Sequence, residues 1–186
     1  MRGFPTKEYQ DRVSKLQNKM QENHIDIILI TSPHNFRYFT GLDSYFWESP
    51  TRPWFLLIPQ AKNPIAIIPS IGEVALKKTW IQNIQTWPSP QPEDEGVSAL
   101  METIKNVIPY KGNIGCELGR ESYLRMSIND FDKIKKNLYN YNFIDASEII
   151  WQLRTIKSLE EIKKIKKIIS IASNVFDHIH NYIQLG

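Results

Sequence analysis

The residue types that do covalent or metal chemistry are present in this chain, but not at spacings that bring them to bear on one atom. The four histidines are His24, His34, His178 and His180. The last two stand two apart in a stretch with helical periodicity, so they point in different directions and do not share a metal. HExxH, GxSxG, GxxxxGK[ST] and GxGxxG are all absent, so no zinc-peptidase, serine-hydrolase or phosphate-binding signature is present. The acidic run Glu93-Asp94-Glu95 precedes an apolar periodic stretch, where carboxylates complement the positive end of a helix rather than form a general acid/base pair. Cys116 sits in the run NIGCEL and reads as a small residue in a buried strand, since nothing nearby would depress its pKa. Glu117, just after it, reads as a surface or helix-capping carboxylate. No catalytic residue and no metal ligand is therefore assigned within this chain.

One segment does invite a functional reading. Ser32 to Phe55, SPHNFRYFTGLDSYFWESPTRPWF, mixes aromatics and charges, and it has no strong periodicity between Gly41 and Arg52. Holding Tyr45, Phe46 and Trp47 in water would forgo on the order of 25 cal/mol per Å² of apolar area, so these rings are expected to pack on something. They pack either on the domain's own sheet or against another domain or subunit, as an interface or a lid. Arg52, at the start of the next strand, could pair with Glu48 or Asp43.

The elements that must position this segment can be read from period and punctuation. A helix is expected over Thr6 to Asn23, capped by Thr6, with Tyr9, Val13, Leu16 and Met20 on one face. The run His24 to Thr31 reads as a strand buried on both faces. Arg52–Pro59 and Pro64–Pro69 read as strands joined by a short hairpin loop, followed by a short helix over Gly72–Trp80 and a strand at Asn83–Trp87. Pro88 to Pro92 reads as a rigid extended linker. Beyond it lie a helix over Val97–Ile108, a strand at Asn113–Leu118, a helix over Glu121–Lys136, a strand at Tyr141–Asp145 and a short helix over Ala146–Leu153. Ser158 with Glu161 forms a capping-box pattern opening a long helix whose apolar positions run from Leu159 to Ile183. Alternating strands and helices predict a layered α/β fold with helices on both faces of a mainly parallel or mixed sheet, followed by a long C-terminal helix.

Composition sets wide bounds. The 186 residues are 41% hydrophobic and 11% aromatic with a net charge of +3, which suits one ordinary core. The lysine cluster at 163, 164, 166 and 167 reads as a solvated helix face, so no nucleic-acid partner is expected. The polar N-terminus, the lack of a long apolar run and the single cysteine lead to an expectation of no membrane association and a reducing, cytoplasmic location.

Several short motifs carry a family likeness. Pro33-His34-Asn35-Phe36-Arg37-Tyr38-Phe39-Thr40-Gly41 resembles the P-x-N-x-x-Y-x-T-G signature of the creatinase/prolidase N-terminal domain. The likeness continues through Phe55–Pro59, Gly115-Cys116-Glu117, Asp145-Ala146-Ser147 and Leu153-Arg154-x-x-Lys157-Ser158, in family order. The resemblance implies a creatinase N-terminal domain-like fold at 1–153, three-layer α/β/α with a mixed central sheet, with 154–186 as linker and first helix of a catalytic domain lying outside this chain. Enzymes of this family carry two divalent metal ions, manganese, zinc, cobalt or iron, bound by two Asp, one His and two Glu of that second domain. No such ligand set is found here, so no cofactor is expected in this chain.

The resemblance further implies a function: a non-catalytic domain of a dinuclear-metal Xaa-Pro peptidase-like hydrolase, contributing dimerisation and substrate gating. A homodimer and the catalytic domain of the same polypeptide are the implied partners. By alignment with creatinase, the substrate-contacting aromatic and arginine fall at Phe46 or Trp47 and at Arg52. The alternative is a stand-alone peptide- or protein-binding module of peptidase-like ancestry.

Overall fold

The computed structural model describes residues 3–49 and 52–183, apart from the side chains of Trp47 and Glu48. Two compact units divide the chain, Met1–Trp151 and Gln152–Gly186. The first is the expected three-layer α/β/α arrangement.

Its sheet has six strands: β1 (Ile27–Ile30), β2 (Phe55–Pro59), β3 (Ile65–Pro69), β4 (Asn83–Trp87), β5 (Asn113–Cys116) and β6 (Asn142–Asp145), in the spatial order β4-β3-β2-β1-β5-β6. β1, β5 and β6 are parallel neighbours, β2 runs antiparallel to both β1 and β3, and β3 is parallel to β4. The mixed sheet follows from the connections. A short loop joins β2 to β3 as a hairpin, whereas β5 and β6 are joined by a crossover containing a helix. β1 lies between β2 and β5 and both faces of the sheet there are covered by helices, so its IILI run is buried throughout rather than alternating.

Alternate residues serve the two faces. Ile27, Leu29, Phe55, Leu57, Ile67, Ile114 and Cys116 form one core with α4 (Val97–Val107) and α5 (Ile128–Asn137), through Leu100, Ile104 and Ile134 among others. Ile28, Ile30, Leu56, Ile58 and Ile68 are equally buried and point the other way. On that side α1 (Thr6–Glu22) buries Leu16 and Met20, and α2 (Pro33–Thr40) buries Phe36 and Phe39. Each such Leu, Ile or Phe contributes about 1.5–3 kcal/mol by leaving water.

Three expectations about element boundaries need correction. Thr6 does not cap α1: the cap position is Pro5, whose carbonyl accepts the Glu8 N–H at 3.0 Å, and Thr6 is already helical. The third helix, α3, is only Glu73–Leu76, because the Leu76 carbonyl is taken by both the N–H and the hydroxyl of Thr79. α5 begins at Ile128 rather than near Glu121. Ser127 is its cap, its hydroxyl accepting the Asp130 N–H at 3.0 Å, and the preceding residues are pulled out of helical pairing. The Arg125 N–H donates to the Thr31 hydroxyl, and Glu121 has φ +59°.

Asp94 fulfils the role expected of the acids before α4: its carboxylate accepts the Ser98 N–H and hydroxyl. Burial pushes the Asp94 pKa up, but the Ser98 hydrogen bonds and the Lys133 charge outweigh it and leave the carboxyl below its ordinary value.

The second unit holds the end of α6 (Ser147–Thr155) and α7 (Leu159–His178). The capping box is formed: the Ser158 hydroxyl accepts the Glu161 N–H at 3.1 Å, and the Glu161 carboxylate accepts the Ser158 N–H at 2.9 Å. The Ile-rich stripe of α7, including Ile165, Ile169 and Phe176, is exposed. Among the described residues no helix is long and apolar enough to cross a membrane.

Candidate functional site: the carboxyl ends of β1, β5 and β6

Parallel strands deliver their following residues to the same edge of the sheet. Thr31 and Ser32 leave β1, Glu117 leaves β5 and Asp145 closes β6, so four polar residues converge there. This edge, where the chain winds one way to β2 and the other to β5, is where open α/β sheets usually leave a crevice for a ligand, often an anion at a helix N-terminus. Here the chain fills the position itself. The Glu117 carboxylate is 3% exposed and lies at the N-terminus of α2. It accepts the N–H groups of Thr31 and Ser32 at 3.0 and 3.1 Å, the Ser32 hydroxyl at 2.6 Å and the Asn35 side-chain amide at 2.5 Å. These donors satisfy a buried charge that would otherwise be costly, and the helix dipole adds to them. Glu117 is thus a helix-capping carboxylate, as one of the two sequence readings had it, but it is not at the surface.

The other motif residues are explained by the same neighbourhood. Pro33 takes the first turn of α2, where no N–H is needed. Tyr38 lends its ring face and its carbonyl to Arg12, whose guanidinium is 4.2 Å from the ring centroid and donates to the carbonyl at 2.8 Å. The Thr40 hydroxyl donates to the Phe36 carbonyl and accepts the Leu42 N–H, turning the chain out of the helix. Gly41 ends α2 at φ +81°, and a Cβ there would stand 2.7 Å from the Tyr9 ring.

Asp145 and Ser147 fasten the turn after Glu117. The Asp145 carboxylate accepts the N–H groups of Leu118 at 3.2 Å and Ser147 at 3.0 Å, and the Ser147 hydroxyl accepts the Gly119 N–H at 2.9 Å. Burial pushes the Asp145 pKa up, but the hydrogen bonds from Ser147, Leu118 and Gly119 together outweigh it and hold the carboxyl below its ordinary value. Cys116 is fully buried beside these acids. Desolvation first, then the Glu117 and Asp145 charges, push its thiol far above its ordinary pKa, which keeps it protonated and inert.

The three gating candidates lie on the adjoining loop. Residues Tyr45–Glu48 form a turn of 3-10 helix, with the Ser44 hydroxyl accepting the Phe46 N–H. Phe46 is 40% exposed and stacks on Trp54, with centroids 6.4 Å apart and planes 25° apart, whereas Tyr45 is 89% exposed. Trp54 is itself buried over Gly72. Of the rings expected to seek cover, Phe46 is therefore only partly covered, by Trp54, and Tyr45 is not covered. Trp47 belongs to the same turn, but its side chain lies outside the described residues. Arg52 is half-buried, and Asp43, one of the acids considered for it, pairs instead with Arg37 at 3.1 Å. The Glu48 side chain lies outside the described residues.

What ties this loop to the network is Arg125, which the sequence reading missed. Its guanidinium donates to the carbonyls of Arg52, at 2.9 Å, and Ser49, and its own N–H donates to Thr31 Oγ1 at 3.0 Å. Burial holds its pKa below the ordinary arginine value, with Tyr123 acting in the opposite sense. No sequence signal marked it, because it lies in a stretch that reads as helix and its partners, two main-chain carbonyls and the Thr31 hydroxyl, are far away in sequence. Beside it, Leu118, Tyr123, Met126, Ile128 and Phe131 line an open cleft of about 270 Å³. Among the described residues no three His, Cys, Asp or Glu side chains are grouped so as to hold a metal ion.

Comparison with known proteins adds the lineage. The family model described as the creatinase/prolidase N-terminal domain matches residues 12–156. An uncharacterised hydrolase/peptidase of Sinorhizobium fredii is 28% identical over 165 residues, covering 86% of this chain and 41% of that protein. The ectoine hydrolase of Halomonas elongata is 22% identical over 189 residues, covering 98% of this chain and 46% of that protein. The crystal structure of a prolidase from Thermococcus sibiricus superimposes with a TM-score of 0.75 at 24% identity, over 93% of this chain and 44% of that one, a likeness of fold. The chain spans less than half the length of each of these relatives.

Proposed function

Given that this chain belongs to the creatinase/prolidase N-terminal domain family, we propose that it is the non-catalytic domain of a metal-dependent hydrolase acting on Xaa-Pro peptide bonds or a related C–N bond. In this reading it contributes dimerisation and substrate gating. One observation supports a non-catalytic role above the others: Asn35, Tyr38, Thr40, Glu117 and Asp145 of the family motifs are all engaged by partners within the fold. Glu117, the most deeply buried carboxylate at the sheet edge, borders the cleft beside Tyr123 and Ile128, yet its oxygens are occupied by four donors at the α2 N-terminus.

The metal ions belong to this reading only through the second domain of such an enzyme. The described residues offer no grouped ligands for them, and no step is assigned to them on this chain. When bound in such a domain, two divalent ions supply an activated water and polarise the scissile carbonyl. What residues of this chain would add is recognition. Phe46, stacked on Trp54, keeps part of its ring exposed for a partner, and Trp47 follows it in the same turn. Arg52 would hold a substrate carboxylate.

The test is a metal-supplemented hydrolysis assay with Xaa-Pro di- and tripeptides, on this chain and on the product of its whole reading frame. Activity confined to the longer product is the expected result, and activity in the 186-residue chain alone would overturn the non-catalytic assignment. In an active product, Arg52→Ala is expected to raise KM for peptides with a free carboxylate by about tenfold, the loss of one charge-assisted contact. Equal KM in the variant and the parent would remove Arg52 from the site. Inactivity in both products favours the alternative, a peptide- or protein-binding module.

A further inference from the structure

Arg125 lies in the irregular stretch between β5 and α5, yet it reaches two distant parts of the chain. Through its N–H it holds Thr31, 94 residues earlier in sequence, and Thr31 is itself fixed by the Glu117 carboxylate. Through its two terminal nitrogens it holds the carbonyls of Ser49 and Arg52. A guanidinium is a rigid planar fork, so two acceptors held by its two arms are fixed relative to one another as well as to the arginine. The carbonyls it holds stand at the end of the aromatic turn and just before the strand that carries Trp54 on its leading side. Arg125 is half-buried, so these bonds are partly shielded from competing water.

We propose that Arg125 is the positioning residue of the aromatic loop, pinning Ser49 and Arg52 to the buried Glu117 network and so setting where Phe46 and Arg52 are presented. Its functional meaning rests on the gating reading above, but the pinning itself does not. The test therefore reads the loop and not activity, so failure of one idea can be told from failure of the other.

The experiment is native-state digestion of the full chain with chymotrypsin, timing cleavage after Tyr45 and Phe46 by mass spectrometry, alongside urea unfolding of the same samples. Arg125→Ala is expected to speed cleavage at these two sites on the order of tenfold beyond any change at other sites, because local opening no longer breaks two hydrogen bonds. Arg125→Lys keeps the charge but not the fork, and is expected to speed it several-fold. It also supplies the comparison if the alanine variant does not fold. Leu100→Ala, a fully buried change in α4 away from the loop, lowers global stability and is expected to leave the loop sites no faster than the rest. Loop cleavage unchanged in both arginine variants would overturn the proposal. So would the same loop-selective acceleration in Leu100→Ala.

Discussion

Two neighbouring regions at one edge of the sheet are built on opposite plans. The Glu117 network is buried, and each of its polar groups is satisfied by a close partner from another element. The loop carrying Tyr45 and Phe46 exposes its rings, and its described main chain is tied to the rest of the fold largely by one arginine side chain. The difference teaches how to read the family signature. Its residues keep a helix start, a helix end and a turn in place. The presentable side chains sit beside it, on a loop that no simple pattern marks. Buried polar groups are worth most when complete and cost most when one member is lost, whereas exposed aromatics contribute little to stability and are free to contact something else.

That contrast can be broken from either side. The largest effect is expected from Glu117→Ala, which leaves two main-chain N–H groups, a hydroxyl and an amide without their acceptor in the interior. A loss of about 3–5 kcal/mol is expected in urea unfolding, and a loss under 1 kcal/mol would mean that the network is ornamental. Gly41→Ala is next. A Cβ at φ +81° and 2.7 Å from the Tyr9 ring is expected to cost about 1–3 kcal/mol by the same measurement. If the urea midpoint is unmoved, the turn out of α2 is softer than drawn.

Asp145→Asn should do less, about 1 kcal/mol at neutral pH, as for a helix-capping carboxylate that is partly screened by solvent. Its signature is the pH dependence. The folded pKa of Asp145 lies below its unfolded value, so its contribution is fully present above the unfolded value near 3.9 and disappears as pH falls through the lower folded one. The variant should therefore lose stability less steeply than the parent in that acid range, and parallel curves would remove Asp145 from the account. Tyr45→Ser, at the exposed tip, is expected to change stability by no more than about 0.5 kcal/mol. A larger loss would place the ring in a packed environment and abolish the distinction between the two regions.

How much of this was legible beforehand differs by element. The alternation of strands and helices followed from period, as at β4, read at Asn83–Trp87 and found there, while the mixed three-layer arrangement leaned on the family likeness as well. The capping box at Ser158 is a local pattern of two side chains and two N–H groups, and it formed as expected. The start of α5 was misplaced, because the Arg125 N–H donates to the Thr31 hydroxyl instead of joining a helix, and no window along the chain contains both. Glu117 was seen as a possible cap, but the helix it caps lies more than eighty residues earlier, as the separation of 86 to Thr31 records. Phe46, Trp47 and Arg52 were singled out by composition and resemblance. The structure adds that Phe46 has a stacking partner and that the Arg52 main chain has an anchor.

The sequence by itself determined the periodic elements, the motif set that places the chain in its family, and the lack of any familiar catalytic spacing, because each of these is written in residues near one another along the chain. Only the tertiary structure decided that the anion position at the sheet edge is filled from within by Glu117, that Asp145 and Ser147 brace the turn behind it, and that Arg125 holds the aromatic loop. Those outcomes depend on parallel strands bringing the residues after β1, β5 and β6 to one edge, and such long-range pairing leaves no mark in any short stretch of sequence.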